Sequence, residues 1–235
     1  DIVEYARRRF VTIVPEIDMP GHMQAAIAAY PQLGTTGLPT EVLTYWGGCE
    51  QILNVEEFTI RFMQDVLAEA LDLFPGEFIH IGGDEVNKQP WKESPRVQAR
   101  MKELGLADEE QLQSWFIQRM DTFLTRQGRR LIGWDEILEG GLAPGAVVMS
   151  WRGMEGGIAA ARAGHHVVMA PSSHTYFDHY QADPNTEPLA FGGFTPLEKV
   201  YGFEPIPEGL SQAQARHILG AQGQIWTEYI PTPAK

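Results

Sequence analysis

The sequence predicts a parallel α/β fold and, among such folds, a (β/α)8 barrel. Three observations carry this. Short apolar or β-branched runs alternate with helix-like stretches along all 235 residues, with no change of composition that would mark an internal boundary. The runs are apolar on consecutive positions rather than alternate ones, as strands covered on both faces should be. Every run that can be placed also ends in an acid, a tryptophan or both. A closed barrel gathers those ends into one mouth, where barrel enzymes build their sites. A doubly wound open sheet is the second choice, but no G-x-G-x-x-G or Walker loop supports it.

Taken in order, residues 1–9 read as the last turns of a helix, with Arg7, Arg8 and Arg9 complementing its dipole. Residues 10–14 (FVTIV) read as a strand running into a loop that carries Glu16, Asp18 and His22, and alanine-rich residues 23–30 as a helix. Residues 31–54 have no period and several glycines, and a loop that long is usually functional or disordered. Residues 56–74 are the clearest helix: Phe58, Phe62, Val66, Ala70 and Phe74 recur every four residues, with Met63, Leu67 and Leu71 beside them. Pro75-Gly76 stops it. A strand at 78–81, a helix at 109–127 and strands at 130–133 and 146–150 follow. A short helix at 156–163 precedes a strand at 166–170, and the last strand is placed at 221–226 after another long, interrupted stretch.

Composition narrows the function. A net charge of −13 disfavours nucleic acid, since phosphate binding needs clustered Lys and Arg. Cys49 is the single cysteine, so there is neither an internal disulfide nor a cysteine-based zinc site. No apolar run approaches the roughly 20 residues of a membrane span, and no signal peptide is evident.

The organising stretch is FIHIGGDEV at 78–86, where a buried strand ends in Gly82-Gly83 and two adjacent carboxylates, Asp84 and Glu85. Alone, the pair reads equally as a loop acid and a helix cap. The other strand ends change the balance: Trp134 with Asp135 and Glu136, Trp151, Tyr176 with Asp178, and Trp226 with Glu228. Tryptophan faces stack on the C–H surface of a sugar while acids accept from its hydroxyls, so a carbohydrate pocket is expected. A two-carboxylate glycosidase places its acids on opposite sides of the bond. Neighbours in an extended segment diverge, so Asp84 and Glu85 are poorly placed to flank one bond. The nucleophile is then another acid or the substrate itself.

At these residues the chain resembles the catalytic barrel of glycoside hydrolase family 20, the β-N-acetylhexosaminidases. The matching stretches are VPEIDMPGH (14–22), FIHIGGDEV (78–86), LIGWDEIL (131–138), VMSWRG (148–153), TYFDHYQ (175–181) and GQIWTEYI (223–230), in the family's order. The resemblance implies an exo-acting, retaining hydrolase of terminal β-linked N-acetylhexosamine on oligosaccharides or glycoconjugates, such as chitin fragments or glycans, with no cofactor. In that family the 2-acetamido oxygen of the sugar is the nucleophile. Glu85 would be the general acid/base, needing a raised pKa. Asp84 would orient the acetamido group and Tyr176 would hydrogen-bond its oxygen. Trp134, Trp151 and Trp226 would wall the pocket, and Asp178 and Glu228 would bind distant hydroxyls. His22 would sit behind Glu85, linked to Asp18; Asp135 and Glu136, for their part, read as supporting groups rather than catalytic ones. The resemblance also implies an extracellular, periplasmic or lysosomal location. It implies too that residues 1–235 form one catalytic barrel domain holding about strands three to eight, without the first two strands and the last helix. Such a piece alone is expected to be weakly active or inactive.

Plainer readings stand beside these. His22 also suits a helix cap, and Asp18 a structural acid. Trp46, Trp91 and Trp115 read as packing, although Trp46 could reach the mouth. His165, His166, His174 and His179 have no familiar ligand spacing, so no metal is expected. A metal-dependent enolase-type barrel, with Mg²⁺ on Asp18, Asp84 and Asp135 and Lys88 as base, is the alternative enzyme. A non-catalytic sugar-binding barrel is the alternative outside catalysis.

Overall fold

The computed structural model describes residues 1–45 and 50–232; Trp46 and Cys49 lie outside the described residues. The chain forms two compact units, residues 1–146 and 147–235.

The first unit opens with helix α1 (Ile2–Arg7), then α2 (Gln24–Ala29), a 3-10 turn at Pro31–Leu33 and the long helix α3 (Glu57–Leu73). Strand β1 (Phe78–His80), α4 (Gln89–Glu93), α5 (Pro95–Glu103), α6 (Glu109–Arg126) and β2 (Arg130–Trp134) follow, and a second 3-10 turn closes at Asp135–Leu138. β1 and β2 are parallel, with Phe78 opposite Arg130 and His80 opposite Ile132. α6 packs on β2 and against α3. The core between them is Ile60, Met63 and Leu67 of α3, Phe116, Ile117, Met120 and Leu124 of α6, and Ile79, Ile81 and Leu131 of the sheet. Burying each such side chain contributes about 1.5–3 kcal/mol. Outside the core, Arg119 of α6 grips Glu57 of α3 with two bonds of 2.7 and 3.0 Å.

In the second unit β3 (Val147–Ser150), β4 (Val167–Met169) and β5 (Ile218–Ala221) form a parallel set, β3 pairing with β4 and β4 with β5. α7 (Glu155–Arg162) packs on β3 and β4, and α8 (Ser172–Thr175), α9 (Leu197–Tyr201) and α10 (Gln212–Ala215) are short. Gly157 lets α7 approach closely, since a Cβ there would lie 2.5 Å from the Met169 methyl.

Where the sequence predicts six strands, five form among the described residues. Residues 10–14 are not a strand. Phe10 closes α1 as a left-handed residue (φ 58°), with Phe10 N–H donating to Arg7 O and Val11 N–H to Ala6 O. This is the Schellman pattern. Fully exposed Phe10 is spent on ending the helix. The segment that runs beside β1 is displaced toward the C-terminus: His80 N–H donates to Pro15 O, Ile17 N–H to His80 O and Met19 N–H to Ile81 O. The last strand begins at Ile218 rather than 221, and beyond it Gln224 makes an isolated bridge to Tyr176. On α3 the buried stripe is Ile60, Met63, Leu67 and Ala70, one step round from the expected row, and Phe58 is 53% exposed. α4 and α5 were not anticipated, being short and introduced by prolines.

Candidate active site

In the first unit, the residues after β1 and beside it converge. β1 ends at His80, Gly82 (φ 66°) and Gly83 (φ 92°) turn the chain, and Asp84 and Glu85 follow. Only glycine fits at 82, because a Cβ there would collide with the Asp18 carboxylate. Asp18 Oδ1 accepts from the Gly83 N–H at 3.0 Å, which ties the 15–19 segment to the turn. His22 Nε2 lies 3.3 Å from Glu85 Oε2, 3.6 Å from Asp84 Oδ2 and 3.9 Å from Asp18 Oδ2. One imidazole thus faces three carboxyl groups.

The pair at 84–85 is not extended. Glu85 is left-handed (φ 49°), so the two side chains turn onto the same nitrogen instead of diverging. His22 is left-handed as well (φ 53°), and with Phe10 these are the non-glycine residues of positive φ among those described. Such backbone costs of order 1–3 kcal/mol per residue and gathers at functional sites. The Asp84 and then the Glu85 carboxylate beside it push the His22 imidazole up to about 11, overcoming its burial. Asp18 is pushed up to about 8, by burial and then by the Asp84 carboxylate. Glu85 moves the other way. Its bond to His22 holds it below the ordinary carboxylate range. This is opposite to the raised pKa expected of a general acid, and its first cause is the His22 imidazole 3.3 Å from Glu85 Oε2.

Behind this cluster, Glu16 accepts from the Trp134 indole N–H at 2.9 Å and lies 3.2 Å from His80 Nδ1. Burial works against ionisation of Glu16, but the His80 and Trp134 contacts prevail and lower its pKa. Trp134 is 3% exposed, with its ring edge-on to His80. Its N–H is committed inward. Asp135 and Glu136 are buried in the turn that follows. Two contributors were not read from the sequence. Glu16 carries no signal in the sequence beyond its place at a strand end, and Gln113, on α6, donates to Gly83 O at 2.7 Å. A glutamine on a helix gives no such signal before the helix is docked.

In the second unit, Tyr176 is 9% exposed and its ring stacks with Trp151, centroids 6.4 Å apart. Asp178 follows two residues on. Both of its carboxyl oxygens are buried without a hydrogen-bond partner among the described residues, and burial raises its pKa. A buried acceptor left open in this way is suited to a hydroxyl donor. Trp226 is 39% exposed and Glu228 is exposed.

For a metal, the group among the described residues whose ligand atoms lie within 4.8 Å of one another is Asp18, His22 and Asp84. Asp135 is not a member. The set suits Mg²⁺ poorly, since that ion takes oxygen ligands and His22 is held as an imidazolium. Lys88, the candidate base of that alternative, is 2.9 Å from Glu110 and 13% exposed. A groove of about 1160 Å³ runs between residues 32–37, 50–58 and 87–97, but neither Asp84 nor Glu85 lines it. Trp91 is fully buried with its N–H on Leu53 O, as packing requires, and the Trp115 ring has the Arg100 and Arg119 guanidinium groups 5.7 and 5.3 Å from its centroid.

Parallel strands whose C-terminal ends carry acids, aromatics and strained backbone define an α/β-barrel type of catalytic domain. Comparison with known proteins narrows this. The model of glycosyl hydrolase family 20, catalytic domain, matches residues 1–235. A β-hexosaminidase of Porphyromonas gingivalis is 51% identical over 99% of this chain, which spans 30% of that relative. One from Vibrio furnissii is 35% identical over 98% of the chain and 38% of its own length. Among solved structures, the exo-β-N-acetylglucosaminidase of Vibrio harveyi in complex with N-acetylglucosamine superposes with a TM-score of 0.84. It is 32% identical, over 100% of this chain and 37% of that one. The chain belongs to glycosyl hydrolase family 20, and its fold class is the (β/α)8 barrel type expected from the strand ends. It spans well under half the length of these relatives.

Proposed function

We propose that this chain provides the catalytic barrel of an exo-acting, retaining β-N-acetylhexosaminidase that removes terminal N-acetylglucosamine or N-acetylgalactosamine from oligosaccharides or glycoconjugates. The observation that carries the reading is the joint hold of His22 on Asp84 and Glu85 after a Gly-Gly turn. In the first step the acetamido carbonyl oxygen forms a bond to the anomeric carbon. The glycosidic C–O bond breaks, and its electron pair takes the proton of Glu85. Asp84 orients the acetamido N–H and balances the positive charge of the oxazolinium. In the second step Glu85 accepts a proton from water, whose oxygen opens the ring with retention at the anomeric carbon. Glu85 must first be protonated. A sugar that covers it and displaces the His22 contact removes the cause of its low pKa and adds desolvation, both of which raise it.

In this reading Tyr176 serves the acetamido oxygen, Trp134, Trp151 and Trp226 serve as sugar walls, and Asp178 and Glu228 take distant hydroxyls. The open carboxyl oxygens of Asp178 support its share of this. An extracellular, periplasmic or lysosomal location goes with the reading, and fractionation of the native host tests it.

Glu85→Gln, made in the intact protein that carries this chain, tests the chemistry. Hydrolysis of 4-nitrophenyl N-acetyl-β-glucosaminide should be abolished, while an N-acetylglucosamine-thiazoline inhibitor still binds by calorimetry. Retained turnover in the variant would overturn the role of Glu85. Binding without turnover in the unmodified protein would make the barrel a sugar-binding module.

A further inference from the structure

Asp84 and Glu85 sit in a loop that holds itself in place poorly. No backbone–backbone hydrogen bond is made by residues 84–87, among the described residues. Besides the His22 contacts to its two carboxyl groups, the loop is fixed at its two ends, and each end has a contact from α6. At the near end, the Gly83 N–H goes to Asp18 and the Gly83 carbonyl accepts from Gln113 Nε2 at 2.7 Å, with Gln113 2% exposed. At the far end, Lys88 Nζ meets Glu110 Oε2 at 2.9 Å. Glu110 and Gln113 are three residues apart on one helix and so share a face. α6 is itself anchored in the core through Phe116, Ile117, Met120 and Leu124.

We infer that Gln113 and Glu110 are positioning residues, through which α6 sets the placement of Asp84 and Glu85. The physical reason is the glycine. With φ 92° and no side chain, Gly83 meets little torsional resistance of its own, and a rotation there swings both following carboxyl groups. Two hydrogen bonds at opposite ends of the residue remove that freedom. Without the Gln113 donor, the buried Gly83 carbonyl gains by turning toward any other partner, and the acids move with it. The far-end ion pair limits how far the loop can follow. Neither residue touches the reacting atoms, so both act through the loop they hold.

The inference rests on Glu85 being the general acid, and the test separates the two. In the intact protein, Gln113→Met keeps length and volume and deletes the donor; Glu110→Gln, half-exposed, weakens the far end without endangering folding. Each is assayed with an alkyl N-acetyl-β-glucosaminide, whose leaving group needs a proton, and with the 2,4-dinitrophenyl glycoside, whose leaving group does not. The expected result is a fall in kcat of about 10- to 100-fold for the alkyl substrate with KM within about threefold, the size of effect that misplacing a reacting group by an ångström produces. The dinitrophenyl substrate should lose at least about fivefold less, since it forgoes the proton transfer. Val147→Ala, a core truncation at the start of β3 in the second unit that lowers thermal stability, should leave kcat unchanged. Equal losses on both substrates, or losses in kcat that simply follow thermal stability across the three variants, would overturn the inference. Failure of the unmodified protein to hydrolyse either substrate would instead sink the functional reading beneath it.

Discussion

Gly82→Ala is the substitution whose cost can be worked most directly from the structure. Two penalties arise. At φ 66° an L-residue occupies the left-handed region, which costs roughly 1–2 kcal/mol. The new Cβ also lands on the Asp18 carboxyl group, which must leave the Gly83 N–H. That hydrogen bond is worth about 1 kcal/mol, and more if the N–H is left buried without a partner. The expected destabilisation is therefore about 3 kcal/mol. Gly128→Ala is the control: Gly128 has φ 72°, but a Cβ there meets nothing within 4 Å, so it should lose only the backbone part. Both substitutions gain the same small benefit from a stiffer unfolded chain, which cancels in the comparison. Urea unfolding of the two variants at neutral pH measures the difference, expected at about 1–2 kcal/mol. Gly82→Ala should also lose most hydrolytic activity, because Asp18 and the Asp84–Glu85 turn move together. Equal stability losses in the two variants, with hydrolysis intact in Gly82→Ala, would refute the claim that the Asp18 contact organises the turn.

Three further outcomes are expected. His22 binds its proton more tightly in the folded chain than its ordinary value of 6.5 allows, so its stabilisation is complete below pH 6.5 and lost as pH rises through about 11. His22→Gln should remove that part of the alkaline decline in unfolding free energy, and an unchanged slope would contradict the three-carboxyl hold. Glu16→Ala removes the acceptor of the Trp134 indole N–H and should cost about 1–3 kcal/mol by thermal melting, whereas Glu16→Gln, which keeps an acceptor, should cost clearly less. Turnover should survive dialysis against EDTA. Activity lost there and restored by Mg²⁺ would favour the metal-dependent alternative at Asp18 and Asp84.

Much of the site was legible because the chemistry lies in short motifs. Gly82 and Gly83 followed by two acids announced a turn with carboxylates at a strand end, and the structure explains the first glycine by the Asp18 carboxyl group it must clear. The two-sided apolar runs at 78–81 and 146–150 are local signals, and those strands formed within a residue of their expected bounds. Residues 10–14 misled because β-branched composition describes what a strand tolerates, not whether a partner is beside it. Their neighbour in the first unit begins pairing only at Pro15, after Phe10 has closed the preceding helix.

From the sequence alone came the alternation of elements, the acids and tryptophans at strand ends, and motifs specific enough to point to a family. These depend on a few consecutive residues and survive without knowledge of the partners. What tertiary structure decided was relational. The neighbouring carboxylates do not diverge, because a left-handed Glu85 folds both onto His22. The charge state of the cluster follows from its neighbours: burial and the Asp84 carboxylate push Asp18 up to about 8, the Asp84 and Glu85 carboxylates push His22 up to about 11, and His22 holds Glu85 low. Trp134 spends its N–H on Glu16, 118 residues away in sequence, and Gln113 reaches Gly83 across 30. Side-chain type sets what a residue can donate, accept or titrate; which of these it does depends on neighbours that only folding brings near.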